Sequence, residues 1–313
     1  MLAYLTGRLL ALLPVLGVVA VVVFLLVHVT PGDPARVLLG QDATDAQVAA
    51  LRHDLGLDRP LPVQFALWIG RALHGDLGTS LFLRIPVTWD ILQHLGPTAT
   101  LSLLGLSVAL AIGIPVGVVS AVFRNSWLDQ LSLALAMLGA AVPSFWLGLS
   151  LIILFAVDLG WLPSSGYQSP ATGVWHSLEY LLLPALALGV PSSSLIIRFT
   201  RSSLLDVLGN DYIRTARAKG LRGRAVIFRH AFRNALVPIL TVVGLTFAAL
   251  MGGAVVTENV FSLPGIGQLV VSSVLRRDYP VIQGVVLMVA TAYVVINLGV
   301  DLLYFAVDPR VRY

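Results

Sequence analysis

The side chains that could do chemistry are few and far apart in this sequence. The six histidines are His28, His53, His74, His94, His176 and His230, and no two have the His-x-x-x-His spacing of a helical metal site. The serine run at 192–194 has neither a Gly-x-Ser-x-Gly turn nor a nearby base. Lys219, the single lysine, does not stand in a Gly-x-x-x-x-Gly-Lys phosphate loop, and cysteine is absent. We therefore expect no metal, no cofactor and no catalytic residue.

The composition is typical of a chain that lies in a membrane. Hydrophobic residues make up 57% of the 313 residues and charged residues only 12%, whereas soluble domains carry about 25% charged residues. A soluble fold of this size needs more polar side chains to cover its core, and a disordered chain needs a far lower hydrophobicity. The sequence therefore predicts an all-α integral membrane protein.

Six apolar stretches are long enough to cross the hydrocarbon core, which takes about 20 helical residues. They are residues 9–29, 98–123, 131–157, 181–197, 236–257 and 281–300. Gly113 and Gly117 form a Gly-x-x-x-Gly pair suited to close helix contact. Four of the prolines within these stretches either kink a span or only fit it to its neighbours, namely Pro115, Pro143, Pro184 and Pro191. The pattern predicts six transmembrane helices.

Ionisable side chains are absent from the middle of every predicted span, and His28, near the end of the first, is the one titratable group within a span. Ion-coupled transporters and voltage sensors need charged groups inside the membrane, so both classes are excluded. Such a bundle is either a passive channel or facilitator, or it receives energy through another subunit.

The distribution of arginine and lysine orients the predicted spans. With the N-terminus in the cytoplasm, nine basic residues between Arg198 and Arg233 face inward, as do the arginines at positions 8, 124, 310 and 312. Outside the long first loop, only Arg276 and Arg277 face outward. Because cytoplasmic loops carry the excess of basic residues, both termini are predicted to be cytoplasmic. The same rule accounts for the net charge of +4 without any nucleic-acid binding.

The first external loop, residues 31–96, is predicted to contain three short amphipathic helices. One follows the capping-box pattern Thr44-Asp45-Ala46-Gln47 and stops at Gly56. Another covers residues 62–73, and its apolar face is formed by Phe65, Trp68, Ile69 and Leu73. The third covers residues 87–95. This external insert caps the transmembrane bundle or offers a docking surface to an external partner, and both roles are compatible.

The largest cytoplasmic segment contains a short helix with its own start and stop signals. Asn210 is a good N-cap, Asp211 suits the first turn, and Gly220 fits the position that ends a helix. The predicted apolar face consists of Tyr212, Ile213 and Ala216, and the basic residues around it are Arg214, Arg217 and Lys219. A helix of two turns is not stable alone, so it needs a surface to dock on. We interpret it as a docking site for a partner protein; a basic anchor for lipid headgroups is the alternative.

Two stretches of this segment carry a family resemblance. They are Asp211-Tyr212-Ile213-Arg214-Thr215-Ala216-Arg217-Ala218-Lys219-Gly220 and Arg229-His230-Ala231-Phe232-Arg233-Asn234-Ala235-Leu236-Val237-Pro238. Further matching stretches follow in order at residues 30–34, 75–80, 143–148, 160–167, 258–267 and 301–313. Together they cover nearly the whole chain, which resembles the first-type (B) permease of ABC importers of the dipeptide, oligopeptide and nickel group.

This resemblance implies a type I ABC importer permease fold. Its parts are a first transmembrane helix at 1–30, an external helical insert at 31–96, a five-helix core at 97–306 with a cytoplasmic coupling loop at 200–235, and a cytoplasmic tail at 307–313. The short helix is then a coupling helix, held in a groove of a separate ATPase. The implied ATPase-coupling residues are Asn210, Asp211, Tyr212, Ile213, Arg214, Thr215, Ala216, Arg217, Lys219 and Gly220. The Glu-Ala-Ala-x-x-x-Gly loop of the wider superfamily lacks its glutamate and first alanine here, so no glutamate contact is carried over.

The resemblance also implies the partners and the location of the protein. The expected partners are a second, paralogous permease subunit, one or two ABC ATPase subunits, an external substrate-binding protein and membrane lipid, with no nucleic acid. The expected location is the inner or plasma membrane of a prokaryote. The implied cargo is a di- or oligopeptide or a similar small solute, and glutathione and nickel complexes stay open. No substrate-binding residue is identifiable, and a passive channel is the alternative function.

Overall fold

The computed structural model describes residues 2–29, 34–40, 43–54, 56–171 and 173–307, and this part of the chain is nearly all helical. The α-helices are α1 (Leu2–Val29), α2 (Pro34–Leu39), α3 (Asp45–Asp54), α4 (Leu61–Leu73), α5 (Val87–Val122), α6 (Trp127–Ala141), α7 (Ser144–Leu151), α8 (Val174–Leu208), α9 (Asp211–Ala218), α10 (Gly223–Ala225), α11 (Arg233–Gly253), α12 (Val255–Val260), α13 (Ile266–Arg276) and α14 (Tyr279–Val307). Two π-helical segments, Ile152–Asp158 and Val226–Phe232, extend α7 and join α10 to α11.

Four helical stretches of the described part are long and apolar enough to cross a membrane. They are Val87–Val122, Val174–Leu208, Gly223–Gly253 and Tyr279–Leu302. The bent pair α6 and α7 makes a fifth if it counts as one broken span. The predicted all-helical membrane fold is thus confirmed, while the count of six spans stays a prediction, as does the division into insert, core and tail. The expected tail, residues 307–313, lies outside the described residues apart from Val307.

The third predicted span is not one straight helix. α6 and the helix that continues from α7 meet at an angle of 95°. Between them Val142 is extended, with φ −79° and ψ 120°, the backbone conformation that a following proline favours. Pro143 itself is the N-cap residue of α7. Pro143 therefore marks a sharp bend, whereas α5 and α8 continue through their prolines.

One compact unit of the chain comprises residues 1–96 and 265–294. The predicted capping box is confirmed, because the backbone N–H and the hydroxyl of Thr44 both donate to Gln47 Oε1 at 3.0 Å. α4 agrees with the predicted helix at 62–73, and it packs on α1 through Phe24, whose ring lies 5.3 Å from Phe65 and 6.0 Å from Trp68. Leu73 was expected on this apolar face, but its side chain is 80% exposed.

The third predicted external helix is wrong as a separate element. Residues 87–95 are the first turns of the 36-residue helix α5, which runs through Gly96 and Pro97. Val87 and Ile91 on these turns are buried in a cluster with Ile266 and Leu269 of α13 and with Val281 of α14. This packing stabilises the helical conformation across a proline, which by itself removes only one hydrogen bond and adds a local clash.

The second compact unit comprises residues 97–264 and 295–313. Its central helix is α8, which packs against α6, α7, α11 and α12. The predicted Gly-x-x-x-Gly contact is confirmed. A Cβ atom added at Gly113 would lie 2.6 Å from Ile196 Cγ2, and one added at Gly117 would lie 2.6 Å from Thr200 Cβ. Because real Cβ atoms do not approach so closely, only glycine allows α5 and α8 to pack at this distance.

Candidate functional site: the segment around helix α9

The predicted start and stop of the short helix are both present in α9. Asn210 is the N-cap residue with φ −75° and ψ 150°, but its side chain makes no capping hydrogen bond to the helix. Instead, Asn210 Nδ2 donates to the carbonyl of Asp206. At the other end Gly220 has φ +76°, and the N–H groups of Gly220 and Leu221 donate to the carbonyls of Arg217 and Ala216 at 2.9 and 3.3 Å. These two bonds form a Schellman motif, which requires a left-handed residue and so favours glycine.

The apolar face of α9 packs against the chain itself. Ile213 is fully buried and Ala216 is 8% exposed. Both belong to one hydrophobic cluster with Leu204 of α8, Val226 and Ala231 of the second π-helical segment, Ala235 and Ile239 of α11, and Val118 and Ala121 of α5. The surface that a two-turn helix needs is thus supplied by this protein's own spans.

This packing places two of the predicted residues differently from expectation, while their role in ATPase coupling stays a prediction. Tyr212 was placed on the same face as Ile213 and Ala216, but its side chain is 43% exposed. Ala216 was expected to permit close approach of a partner, but it approaches the chain's own helices instead. The side chains that remain exposed are Asp211, Tyr212, Arg214, Thr215, Arg217, Ala218 and Lys219. At 100° per residue, Asp211, Thr215 and Ala218 lie opposite the buried face.

Electrostatic contacts order the exposed side of α9. Arg214 forms an ion pair with Asp211 one turn earlier, and the Thr215 hydroxyl donates to the carbonyl of Asp211 at 3.0 Å. Beyond Gly220, the predicted helix from Arg222 into the fifth span is confirmed as the helical stretch Gly223–Gly253. The exposed face of α9 is therefore polar, and it rests on a helix that continues into the membrane.

An ion pair that no sequence pattern indicates joins three helices just before α9. Asp129, at the start of α6, is 3% exposed and accepts two hydrogen bonds from Arg201 of α8, Nε at 2.7 Å and Nη2 at 2.8 Å. The same carboxylate accepts from the hydroxyl of Ser120 on α5 at 2.5 Å and from the N–H of Asn125 at 2.9 Å. Bidentate pairs of this kind fix geometry as well as adding energy. They hold the end of α8 against α5 and α6, ten residues before α9 begins.

A second buried carboxylate lies directly after the fifth predicted span, residues 236–257. Glu258 of α12 is fully buried, and the hydroxyl of Thr98 on α5 donates to its Oε1 at 2.5 Å. Its backbone carbonyl accepts from Leu263 N–H at 2.8 Å and so closes the turn after α12. In the described residues, no three His, Asp or Glu side chains lie close enough together to hold a metal ion.

The chain matches two family models. The family described as "Binding-protein-dependent transport system inner membrane component" matches residues 113–313. The family described as "Binding-prot-dependent transport system membrane comp, N-term" matches residues 1–81.

Whole-length relatives agree with these matches. The glutathione transport system permease protein GsiC of Salmonella paratyphi A is 48% identical over 314 residues, and the dipeptide transport system permease protein DppB of Alkalihalophilus pseudofirmus is 44% identical over 333 residues. Both alignments cover all of this chain and all of the relative.

A solved structure shares the fold. The inward-facing methionine ABC transporter MetNI aligns with a TM-score of 0.59 at 21% identity, covering 70% of this chain and 97% of that chain. Since the family model covers the greater part of the sequence and the relatives match over their full length, the chain belongs to the family of binding-protein-dependent transport system inner membrane components.

Proposed function

We propose that this permease subunit translocates small peptides or peptide-like solutes, and that it takes its energy from separate ATPase subunits through the exposed face of α9. The cargo follows from the names of the whole-length relatives, which are a glutathione permease and a dipeptide permease. The observation that carries the coupling role is the packing of α9. Its apolar face is buried on the chain, which leaves a rigidly mounted polar face free.

The mounting of α9 explains how a force could be transmitted. A lever needs a stiff attachment to the part that it moves, because a flexible one would absorb the displacement. Ile213 and Ala216 bury the apolar face of α9 in a cluster that also contains residues of α5, α8 and α11. α9 packs directly on the π-helical segment Val226–Phe232, which continues into α11. The Asp129–Arg201 pair then ties α8 to α6. A partner that binds Thr215 and Ala218 differently in two states would therefore move several spans together.

The remaining partners and the orientation complete the proposal. An external binding protein delivers the solute, a paralogous permease subunit forms the other half of the pathway, and α9 and both termini face the cytoplasm of a prokaryotic cell. The positive-inside distribution of arginine supports this orientation. A passive channel does not need a polar helix that is capped and packed in this way. ATP-independent solute flux is the result that would favour the channel over the ATP-driven permease.

A charge placed on the exposed face of α9 tests the proposal. Ala218→Asp adds a carboxylate to that face, and Ala46→Asp makes the same change on α3, another short helix on which the alanine is also exposed. After reconstitution with the second permease, the ATPases and the binding protein, we expect Ala218→Asp to reduce ATP-driven peptide uptake at least about tenfold, because a carboxylate at a packed interface is desolvated without a partner. Ala46→Asp should transport normally. Equal uptake by both variants, or uptake that needs no ATP, would contradict the coupling role.

A further inference from the structure

A cleft of about 520 Å³ opens within the unit formed by residues 1–96 and 265–294. Its walls come from the C-terminal end of α1, from α4, from the loop at 76–84 and from the first turns of α14. The apolar part of the lining includes Phe24, Val27, Leu57, Leu67, Trp68 and Leu81. None of these side chains belongs to the predicted coupling loop, residues 200–235.

Two unpaired cations also line the cleft. The guanidinium groups of Arg71 and Arg84 are exposed, and neither has an ion pair or hydrogen bond to any residue that the structure describes. Arg84 has φ +57°, a left-handed conformation that is unfavourable for a residue with a long side chain. The N–H of Arg84 donates to the carbonyl of Ser80 at 3.1 Å, which holds it in this conformation. The chain thus keeps two positive charges beside an apolar surface.

Most of the other polar side chains at the cleft are already used by neighbours. Gln64 donates to the carbonyls of Leu57 and Arg59, Ser80 donates to Asp278, Gln283 donates to the carbonyl of Val23, and Asp76 accepts from the N–H of Gly78. The Tyr279 hydroxyl is buried with no hydrogen-bond partner among the described residues, and the exposed Asp76 carboxylate accepts one backbone N–H. These few groups are not enough to bind the several amides of a peptide, each of which needs a partner when it is removed from water. Since the two arginines outnumber Asp76, the charged groups of the cleft favour an anionic ligand, and its apolar walls favour a ligand that also carries an apolar chain.

The neighbouring surface of α1 shows where this cleft lies. The apolar side chains of α1 that precede it, such as Val18 and Val22, are 65% and 56% exposed, as expected for a helix that faces lipid. Phe24 and Val27 follow them toward the end of the helix, and Trp68 stands beside Phe24. Tryptophan and arginine at the end of a lipid-facing helix mark the level of the headgroups.

We propose that this cleft binds one phospholipid, with its phosphate between Arg71 and Arg84 and the upper part of an acyl chain against Phe24, Leu67 and Trp68. The shared chemistry of the site is a phosphate monoanion, which a free phosphate ester could also supply. The apolar walls distinguish the two sources, since only the lipid removes their surface from water.

Native mass spectrometry of the purified full chain in detergent tests the site, with palmitoyl-oleoyl phosphatidylglycerol as the probe. We expect one tightly bound lipid. In Arg71→Gln/Arg84→Gln its affinity should fall at least about tenfold, because the phosphate loses both of its cationic partners. Arg59→Gln removes an exposed arginine of the same external insert that does not line the cleft, and it should bind the lipid normally. A photoactivatable phosphatidylglycerol should label wild-type segments 64–71 and 77–84, a result that does not depend on the fold of any variant.

Three results would overturn the proposal. The first is lipid binding that does not change in Arg71→Gln/Arg84→Gln. The second is photolabelling confined to other segments. The third is displacement of the lipid by millimolar glycerol 3-phosphate or by a tripeptide, which would identify the cleft as a site for a soluble anion or a peptide.

Discussion

Removal of the Asp129 carboxylate should destabilise the protein more than removal of the whole Asp129–Arg201 pair. Asp129→Ala leaves the Arg201 guanidinium without its two charge-assisted hydrogen bonds. Breaking a buried ion pair from one side costs about 3–5 kcal/mol. Because the Arg201 side chain is 22% exposed and can still reach water or a headgroup, we expect the lower end of that range, about 3 kcal/mol.

The double variant Asp129→Ala/Arg201→Met separates the pair from its surroundings. It leaves no unpaired charge, only the hydroxyl of Ser120 and the N–H of Asn125 without their acceptor. We therefore expect a loss of about 1 kcal/mol in the double variant, about 2 kcal/mol less than in Asp129→Ala alone. Arg201→Met completes the double-mutant cycle, and it should also cost about 3 kcal/mol because it leaves the buried Asp129 carboxylate without its cation. Asp158→Ala, which removes an exposed carboxylate, should change the stability by less than about 0.5 kcal/mol.

The assay is unfolding of the purified chain in mixed dodecyl maltoside and sodium dodecyl sulfate micelles, followed by tryptophan fluorescence. ATP-driven uptake by the reconstituted importer is the second readout. If the pair stiffens the attachment of α9, the double variant should fold but transport poorly. Losses of stability that simply add in the double variant would refute the argument that the two side chains act as a pair.

Three further features can be tested in the same unfolding assay, each with its own control variant. Gly117→Ala places a Cβ 2.6 Å from that of Thr200 and should lower the free energy of unfolding by about 1–3 kcal/mol. Gly252→Ala is the control, because its Cβ meets nothing within 4 Å and should not destabilise α11. Equal effects of the two substitutions would contradict the close contact of α5 and α8. Gly220→Ala should cost about 1 kcal/mol because φ is +76°, and Gly220→Asn should cost less; the reverse order would be inconsistent with the Schellman motif. Glu258→Ala should lower the free energy of unfolding by about 2–4 kcal/mol. Glu258→Gln keeps an acceptor for the Thr98 hydroxyl and should cost less. An unchanged stability of Glu258→Ala would argue against the buried hydrogen bond.

Features set by neighbouring residues could be predicted from the sequence. The capping box at Thr44 and the stop at Gly220 each depend on backbone geometry within a few positions. The glycine pair at 113 and 117 was also predictable, because residues four apart share a helix face. In each case the residues that cause the feature lie within a few positions of one another in the sequence.

Features set by distant residues could not be predicted in this way. Asp129 and Arg201 are 72 positions apart, and a single sequence contains no signal that pairs them. The buried face of α9 was predicted only in part, since Tyr212 lies at its edge and tertiary neighbours decide which edge is covered. The sequence pattern predicts a separate helix that ends at residue 95, but α5 continues through Pro97. Packing of Val87 and Ile91 in their cluster outweighs the local cost of the proline.

The central claim is that the exposed face of α9, and not its buried face, meets the ATPase. Because the chain contains no cysteine, Thr215→Cys and Ala46→Cys each provide a single thiol on an exposed helical position. The decisive measurement is the rate of maleimide labelling of each thiol, with and without the co-purified ATPase subunits. The account predicts that the ATPase slows labelling of Thr215→Cys at least about tenfold, as expected when an interface excludes solvent, and that it leaves Ala46→Cys unaffected. Labelling of Thr215→Cys at the same rate in both preparations would contradict the account.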